Sequence, residues 1–261
     1  MTAPQLAQEL ADRYLPTMRR AAEEAAKVLL SGYRSKPKAD KKGSIDFVTE
    51  FDRESERVLR RILGETDLHL VAEEEGGVAG SRTLYVDPLD GTTNFLHGHP
   101  FYAVSIGLVV DGVPLVGLVH APSLGVVWAG AAGAFATRNG EPCHVTETAD
   151  LDSALLATGF PYDRRTSPEN NFDAFLALKL KSRGVRRCGS ASMDLCLVAD
   201  GTYDGYWERK LKPWDLAGGA AIVAGAGGRL SNFQGGPADV LSGYLVATNG
   251  ALHDRLVEAI P

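Results

Sequence analysis

The chain has 261 residues and a formal net charge of −6, from 27 Lys and Arg against 33 Asp and Glu. That balance argues against a nucleic-acid partner, which needs a basic face. At 44% hydrophobic residues the chain can bury the core of one large domain or of two tightly joined halves.

The opening residues are helical. Leu6, Leu10, Leu15, Met18, Ala22, Ala25, Val28 and Leu29 approximate a 3.6-residue stripe. Pro16 interrupts it, which predicts a short helix and then a longer one starting near Pro16 and ending at Gly32. A polar, basic stretch from Arg34 to Gly43 reads as a solvated loop. Thr49 and Asp52 are spaced as a capping box for a second helix, with Val58, Leu59 and Ile62 on its apolar face and Gly64 closing it. From Leu70 to about Val145 the pattern becomes short strands. Asp111-Gly112 and Asn139-Gly140 mark hairpins, so this half is expected to be an antiparallel sheet with helices packed on one side.

The second half alternates. Ala154 to Thr158 reads as a strand, Asn171 to Lys181 and Ser190 to Ala199 as helices, and Tyr203 to Trp207 as a strand. Leu216 to Ala226 is a helix stopped by Gly227-Gly228. Leu245 to Thr248 and a C-terminal helix finish the chain. This α/β order implies a mixed sheet. Two sub-domains are expected, residues 1–147 and 148–261, with a cleft between them. Cys143, Cys188 and Cys196 are odd in number and scattered, which suits reduced thiols in the cytoplasm. No secretory signal is evident, and no apolar run approaches the roughly 20 residues of a membrane span.

The most informative stretch is Val86-Asp87-Pro88-Leu89-Asp90-Gly91-Thr92-Thr93-Asn94-Phe95. Pro88 pushes Asp87 into an extended conformation, so Asp87 is expected to end a strand. Asp90 then comes back beside it across a tight turn that Gly91 permits. Two hard oxygen ligands in one turn suit Mg²⁺. The amides of Gly91 to Thr93 and the two threonine hydroxyls suit a phosphate where a helix begins. Read alone, the same stretch would be an Asp-rich β-turn. Two further acidic landmarks, Val71-Ala72-Glu73-Glu74-Glu75-Gly76-Gly77 and Lys212-Pro213-Trp214-Asp215-Leu216-Ala217-Gly218-Gly219, shift that balance.

With these three pieces in this order the chain resembles the inositol monophosphatase family of Mg²⁺-dependent phosphatases. The family carries G-E-E, D-P-[IL]-D-G-T-T-N-F and W-D-x-A-A-G. Supporting matches run from Asp46-Phe47-Val48-Thr49 to Gly227-Gly228. The resemblance implies a layered α-β-α-β-α sandwich and a site holding two or three Mg²⁺ ions. It implies Glu73, Asp87 and the Leu89 carbonyl around the first ion, and Asp87, Asp90 and Asp215 around the second. Two carboxylates 4 Å apart at an effective dielectric of 20 repel by about 4 kcal/mol, so gathering four of them without a cation is hard to sustain. Register favours Glu73 over Glu74, although Ala72 replaces the family's Gly and Glu75 replaces a small residue.

By the same resemblance, Thr92 with Glu73 activates water, and Asp52 supports them. Asp52 has a competing explanation as the third-residue acid of its capping box. Lys41 matches a loop lysine of the family, with Lys42 an equal candidate. Asp215 is expected to open its helix right after Trp214, where an N-cap role alone would account for it. Gly218 in that helix stands where the family has Ala. Gly91, Thr92, Thr93, Gly189, Ala191 and Glu208 are implied to contact the substrate. For Glu208 the plain alternative is an exposed carboxylate at a strand end. The implied activity is hydrolysis of a small polyol phosphate, inositol 1-phosphate first, with histidinol phosphate or fructose 1,6-bisphosphate as alternatives. A regulatory RNA- or protein-binding role is the non-enzymatic alternative. The implied assembly is a homodimer.

Overall fold

The computed structural model describes residues 2–41 and 47–261. Lys42 and Asp46 therefore lie outside the described residues. Contrary to the expected break at Pro16, one helix, α1, runs from Ala3 to Gly32. Thr2 caps it, accepting from the Gln5 amide and receiving the Gln5 side chain on its own N–H. Pro16 removes one helical hydrogen bond. Leu10, Tyr14, Met18, Ala21, Ala25 and Leu29 nevertheless keep one buried face on both sides of it. Burial of that continuous stripe outweighs the local penalty.

Helix α2, Glu50–Leu63, starts at the expected capping box and ends at Gly64. A short helix α3, Thr92–Leu96, follows the acidic motif. Strands His69–Ala72, Arg82–Asp90, Ala103–Val110, Val113–Ala121, Val126–Ala131, Phe135–Arg138 and Glu141–Pro142 lie side by side in chain order. The hairpins at Asp111-Gly112 and Asn139-Gly140 form as expected. All four of these residues have positive φ (48°, 84°, 52° and 86°), which the tight primed turns require. The sheet is antiparallel except at its first pair, where His69–Ala72 runs parallel to Arg82–Asp90. Residues 73–81 turn back and return along the sheet edge instead of closing a hairpin, which corrects the wholly antiparallel expectation.

The second sheet is mixed. Its order is Gly184–Arg186, Leu155–Thr158, Gly205–Glu208, Leu245–Thr248, Arg229–Ser231, parallel in the first two pairs and antiparallel in the last two. Around it lie α4 (Phe172–Lys181), α5 (Ala191–Ala199), α6 (Pro213–Gly225) and α7 (His253–Ala259). Three apolar clusters define the layers. One joins α1 and α2 to the outer face of the first sheet. A second places α5 and α6 between the two sheets. A third covers the far face of the second sheet with α4 and α7. The architecture is therefore the α-β-α-β-α sandwich. No helix among the described residues is long and apolar enough to cross a membrane.

The glycines of α6 and of the first sheet have a joint reason. A Cβ on Gly117 would sit 2.0 Å from the Gly218 carbonyl oxygen, and one on Gly107 would sit 2.4 Å from the Gly218 nitrogen. A Cβ on Gly218 would meet Ser105 Oγ at 2.7 Å. The missing methyls let α6 lie directly on the sheet backbone, and Gly218 lowers helix propensity for that contact. Gly117→Ala should therefore destabilise the protein by about 1–3 kcal/mol, the usual cost of overpacking. Chemical denaturation would measure it, and a variant as stable as the parent would contradict the close approach.

Candidate active site

The acidic motif does not turn back after Asp87 as expected. The strand continues to Asp90, and its ladder slips between Asp87, opposite Ser105, and Asp90, opposite Ala103. Three steps on one strand face two on the other, so one extra residue is accommodated at Pro88-Leu89. Pro88 has no N–H for the ladder, so a bulge there forfeits little. The consequence is chemical. Residues three apart on a regular strand face opposite ways, and the bulge turns Asp87 and Asp90 to the same side. The Leu89 amide also donates to Asp87 Oδ1 at 2.9 Å. Gly91 follows at φ 95°, and a Cβ there would press on the carbonyl oxygens of Phe101 (3.0 Å) and Gly189 (3.2 Å).

Glu73, Asp87, Leu89, Asp90, Gly91, Thr92, Gly189, Ala191, Glu208 and Asp215 line one cleft of about 280 Å³. The sequence-predicted residues thus converge from both halves of the chain. Thr93 does not join them; its position is exposed and outside the lining. Lys41 sits on the exposed strand Ala39–Lys41, which pairs with Phe47–Thr49, and does not line the cleft either. Asp215 is the third residue of α6 and not its cap. Lys212 is the cap, and its N–H donates to Asp215 Oδ2 at 2.7 Å.

Asp52 makes two separate contacts, one with each oxygen. Its Oδ2 accepts from the Thr49 amide (2.8 Å) and hydroxyl (2.5 Å), closing the capping box. Its Oδ1 faces the Thr92 hydroxyl at 3.0 Å, and the Leu89 carbonyl accepts from the same hydroxyl at 3.1 Å. Asp52 and the Leu89 carbonyl thereby offer acceptors for the Thr92 proton, leaving the oxygen's lone pairs for an incoming O–H.

Several residues that hold the site were not foreseen. Glu56 on α2 is buried and accepts from the amides of Glu74 (2.7 Å) and Glu75 (2.9 Å), fixing the turn that carries Glu73. Arg60 pairs with Glu56 at 2.8 Å one helical turn on. Their i,i+4 spacing was a visible signal. Glu74, whose amide donates to Glu56, lies outside the cleft lining, whereas Glu73 is part of it. Asp90 Oδ2 accepts from Ser190 Oγ (2.7 Å), the Ser192 amide (2.8 Å) and Ser192 Oγ (2.6 Å) at the start of α5. Asn94 Nδ2 reaches the same segment, donating to the Cys188 carbonyl at 2.8 Å. Glu208 is not an exposed strand-end carboxylate. It is 8% exposed and accepts from the Tyr206 hydroxyl at 2.6 Å.

The electrostatics point one way. Burial, and then the charges of Glu73, Asp90 and Asp215, push the Asp87 carboxyl well above its usual range. Burial, and then Asp90 and Glu73, do the same to Asp215. Burial also raises Asp90, against the opposing hydrogen bonds from Ser192 and Ser190. Among the described residues, no three acidic, His or Cys side chains converge on one ready-made ligating point. What fits a hard divalent cation is the donor chemistry. The lining offers carboxylates and a carbonyl, with no thiol or imidazole, and its acids repel one another.

This constellation has known counterparts. The inositol monophosphatase family model matches residues 11–261. The chain belongs to the inositol monophosphatase family. It is a phosphoric monoester hydrolase of that class. It is 43% identical to the inositol-1-monophosphatase of Synechocystis over 220 residues, covering 82% of this chain and 77% of that protein. It is 38% identical to a protein of Neisseria meningitidis named putative Nus factor SuhB, covering 95% of this chain and 97% of that one. The inositol monophosphatase structure from Anabaena superposes with a TM-score of 0.88 at 39% identity, covering 96% of this chain and 97% of that one.

The acid cluster sets a sign for pH and metal dependence. The folded carboxyls lie above their ordinary values, so their contribution to stability is full below about pH 3.8 and is lost as pH rises through the folded values. Mg²⁺ should reverse that loss, adding about 2.7 kcal/mol at 100 times its Kd. Thermal unfolding in EDTA and in excess Mg²⁺ should show a larger Mg²⁺ gain at pH 7.5 than at pH 5. A Tm indifferent to Mg²⁺ at both pH values would contradict the cation site.

Proposed function

We propose that the protein hydrolyses a small polyol phosphate with Mg²⁺, inositol 1-phosphate before histidinol phosphate or fructose 1,6-bisphosphate. One observation carries this reading. Glu73, Asp87, Asp90 and Asp215 share one cleft with Thr92 and with a buried carboxylate, Glu208. Glu73, Asp87, Asp90, Asp215 and the Leu89 carbonyl would hold the cations. Bound there, Mg²⁺ supplies charge neutralisation for the phosphoryl group and lowers the pKa of the attacking water.

The chain's own residues do the rest. The Gly91 and Thr92 backbone receives phosphate oxygens. Thr92, its proton turned to Asp52, accepts a hydrogen bond from the attacking water and orients it. Glu73 stands in the same cleft as the carboxylate base partnered with Thr92. Gly189, Ala191 and Glu208 contact the alcohol part of the substrate. Residues 1–147 and 148–261 act as two sub-domains of one site, the first bringing most cation ligands and the second Asp215 and the alcohol contacts. Three free cysteines suit a cytoplasmic setting, and the resemblance implies a homodimer.

The competing reading is a regulatory one, after the relatives named Nus factor SuhB. The net charge of −6 and the intact acid set favour the enzyme. Phosphate release from inositol 1-phosphate, histidinol phosphate, fructose 1,6-bisphosphate and p-nitrophenyl phosphate discriminates between them. Mg²⁺-dependent turnover with the highest kcat/KM on inositol 1-phosphate is expected. Glu208→Gln should lower that kcat/KM roughly 10- to 150-fold, the range of a charge-assisted hydrogen bond of about 1.5–3 kcal/mol. Its loss on p-nitrophenyl phosphate, which has no hydroxyls to recognise, should be much smaller. No release from any ester would remove the enzymatic reading, and equal losses on both substrates would remove Glu208 from polyol recognition.

A further inference from the structure

Glu208 recognises nothing unless its carboxylate is held in one place. Tyr206 and Glu208 lie two apart on the strand Gly205–Glu208, so their side chains leave the same face. Tyr206 is fully buried behind Glu208, and its hydroxyl donates to Oε2 at 2.6 Å. Gly159, also a cleft residue, packs against the same carboxylate. A Cβ there would fall 2.0 Å from Glu208 Oε1 and 2.2 Å from Oε2. Gly159 leaves the space that the carboxylate occupies. A buried hydroxyl therefore grips the group from behind, and a missing methyl lets it lie against the cleft wall.

We propose that Tyr206 is a positioning residue for polyol specificity. Its hydroxyl fixes Glu208, and with the space at Gly159 sets which substrate hydroxyls the cleft accepts. This rests on the reading of Glu208 as the hydroxyl acceptor. The charged setting makes the Tyr206 contact matter more. Glu208 is pushed up to about 7 by burial; the Tyr206 hydrogen bond and then the Arg187 charge oppose that rise, and Asp90 adds to it. Asp194 on α5 and Asp215 on α6 also interact with Glu208. Asp194 is itself buried, and its Oδ1 has no hydrogen-bond partner among the described residues. Among these neighbours Tyr206 is the one that donates a hydrogen bond to the carboxylate. Losing that donor disfavours the ionised, accepting form of Glu208.

The test compares kcat/KM for inositol 1-phosphate with that for p-nitrophenyl phosphate across pH 6 to 9 in saturating Mg²⁺. The variants are Tyr206→Phe, Gly159→Ala and Glu208→Gln. Taking the ratio of the two substrates cancels effects on cations and on the attacking water. Tyr206→Phe should lower the ratio about tenfold near pH 7, and the pH above which selectivity appears should move upward. Gly159→Ala, which displaces the carboxylate sterically, should lower the ratio too and serves if Tyr206→Phe does not fold. Selective loss in Glu208→Gln with an unchanged ratio and unchanged pH profile in both other variants would overturn this inference alone. Equal losses on both substrates in Tyr206→Phe would make its role merely structural and overturn it as well. An unselective Glu208→Gln would overturn the reading of Glu208, and this inference with it.

Discussion

Like charges in a low-dielectric cleft repel, and the site of this protein concentrates them. Asp87 is 2% exposed and Asp90 9% exposed, and Glu73 and Asp215 share their cleft. Protonation or a cation can relieve that repulsion, and the first would forfeit the charge that binding Mg²⁺ needs. Much of the surrounding structure places these acids in spite of their repulsion. The bulge at Pro88 turns two of them the same way. Glu56 clamps the turn bearing the third. The first turn of α6 fixes the fourth through the Lys212 amide.

The two halves are joined through the same acids. Asp90 from the first sheet is held by Ser190 and Ser192 at the start of α5, so docking of the second half and orientation of a cleft carboxylate are one event. Asn94 adds a second crossing through the Cys188 carbonyl. Helix α6 brings Asp215 to the first sheet because Gly107, Gly117 and Gly218 remove the methyls that would hold it off. A packing feature far from any chemistry thus sets where one carboxylate stands.

Much of the fold and site was legible in the sequence, and the parts that were not have physical causes. Capping boxes and Asp-Gly or Asn-Gly turns act over three or four residues, so α2 and both hairpins form where expected. Motif resemblance identified the cleft acids, which local pattern alone would have left as a β-turn. Pro16 misled because tertiary burial of the α1 stripe overrides a local helix penalty. The bulge at Pro88, the parallel strand at the sheet edge and the exposure of Thr93 depend on partners distant in sequence. So do Glu56, Ser192 and Tyr206, whose side chains look like ordinary helix and strand residues until the fold sets them behind the site. Gly218 appeared as a departure from its family and became intelligible only when the opposing strand was in view.

The claim on which the account rests is that this cleft gathers its acids for divalent cations. Anomalous diffraction from crystals grown with millimolar Mn²⁺ in place of Mg²⁺ tests it most directly. The account predicts anomalous peaks in the cleft beside Asp87, Asp90 and Asp215. A well-ordered crystal with those carboxylates in place and no peak among them would contradict it.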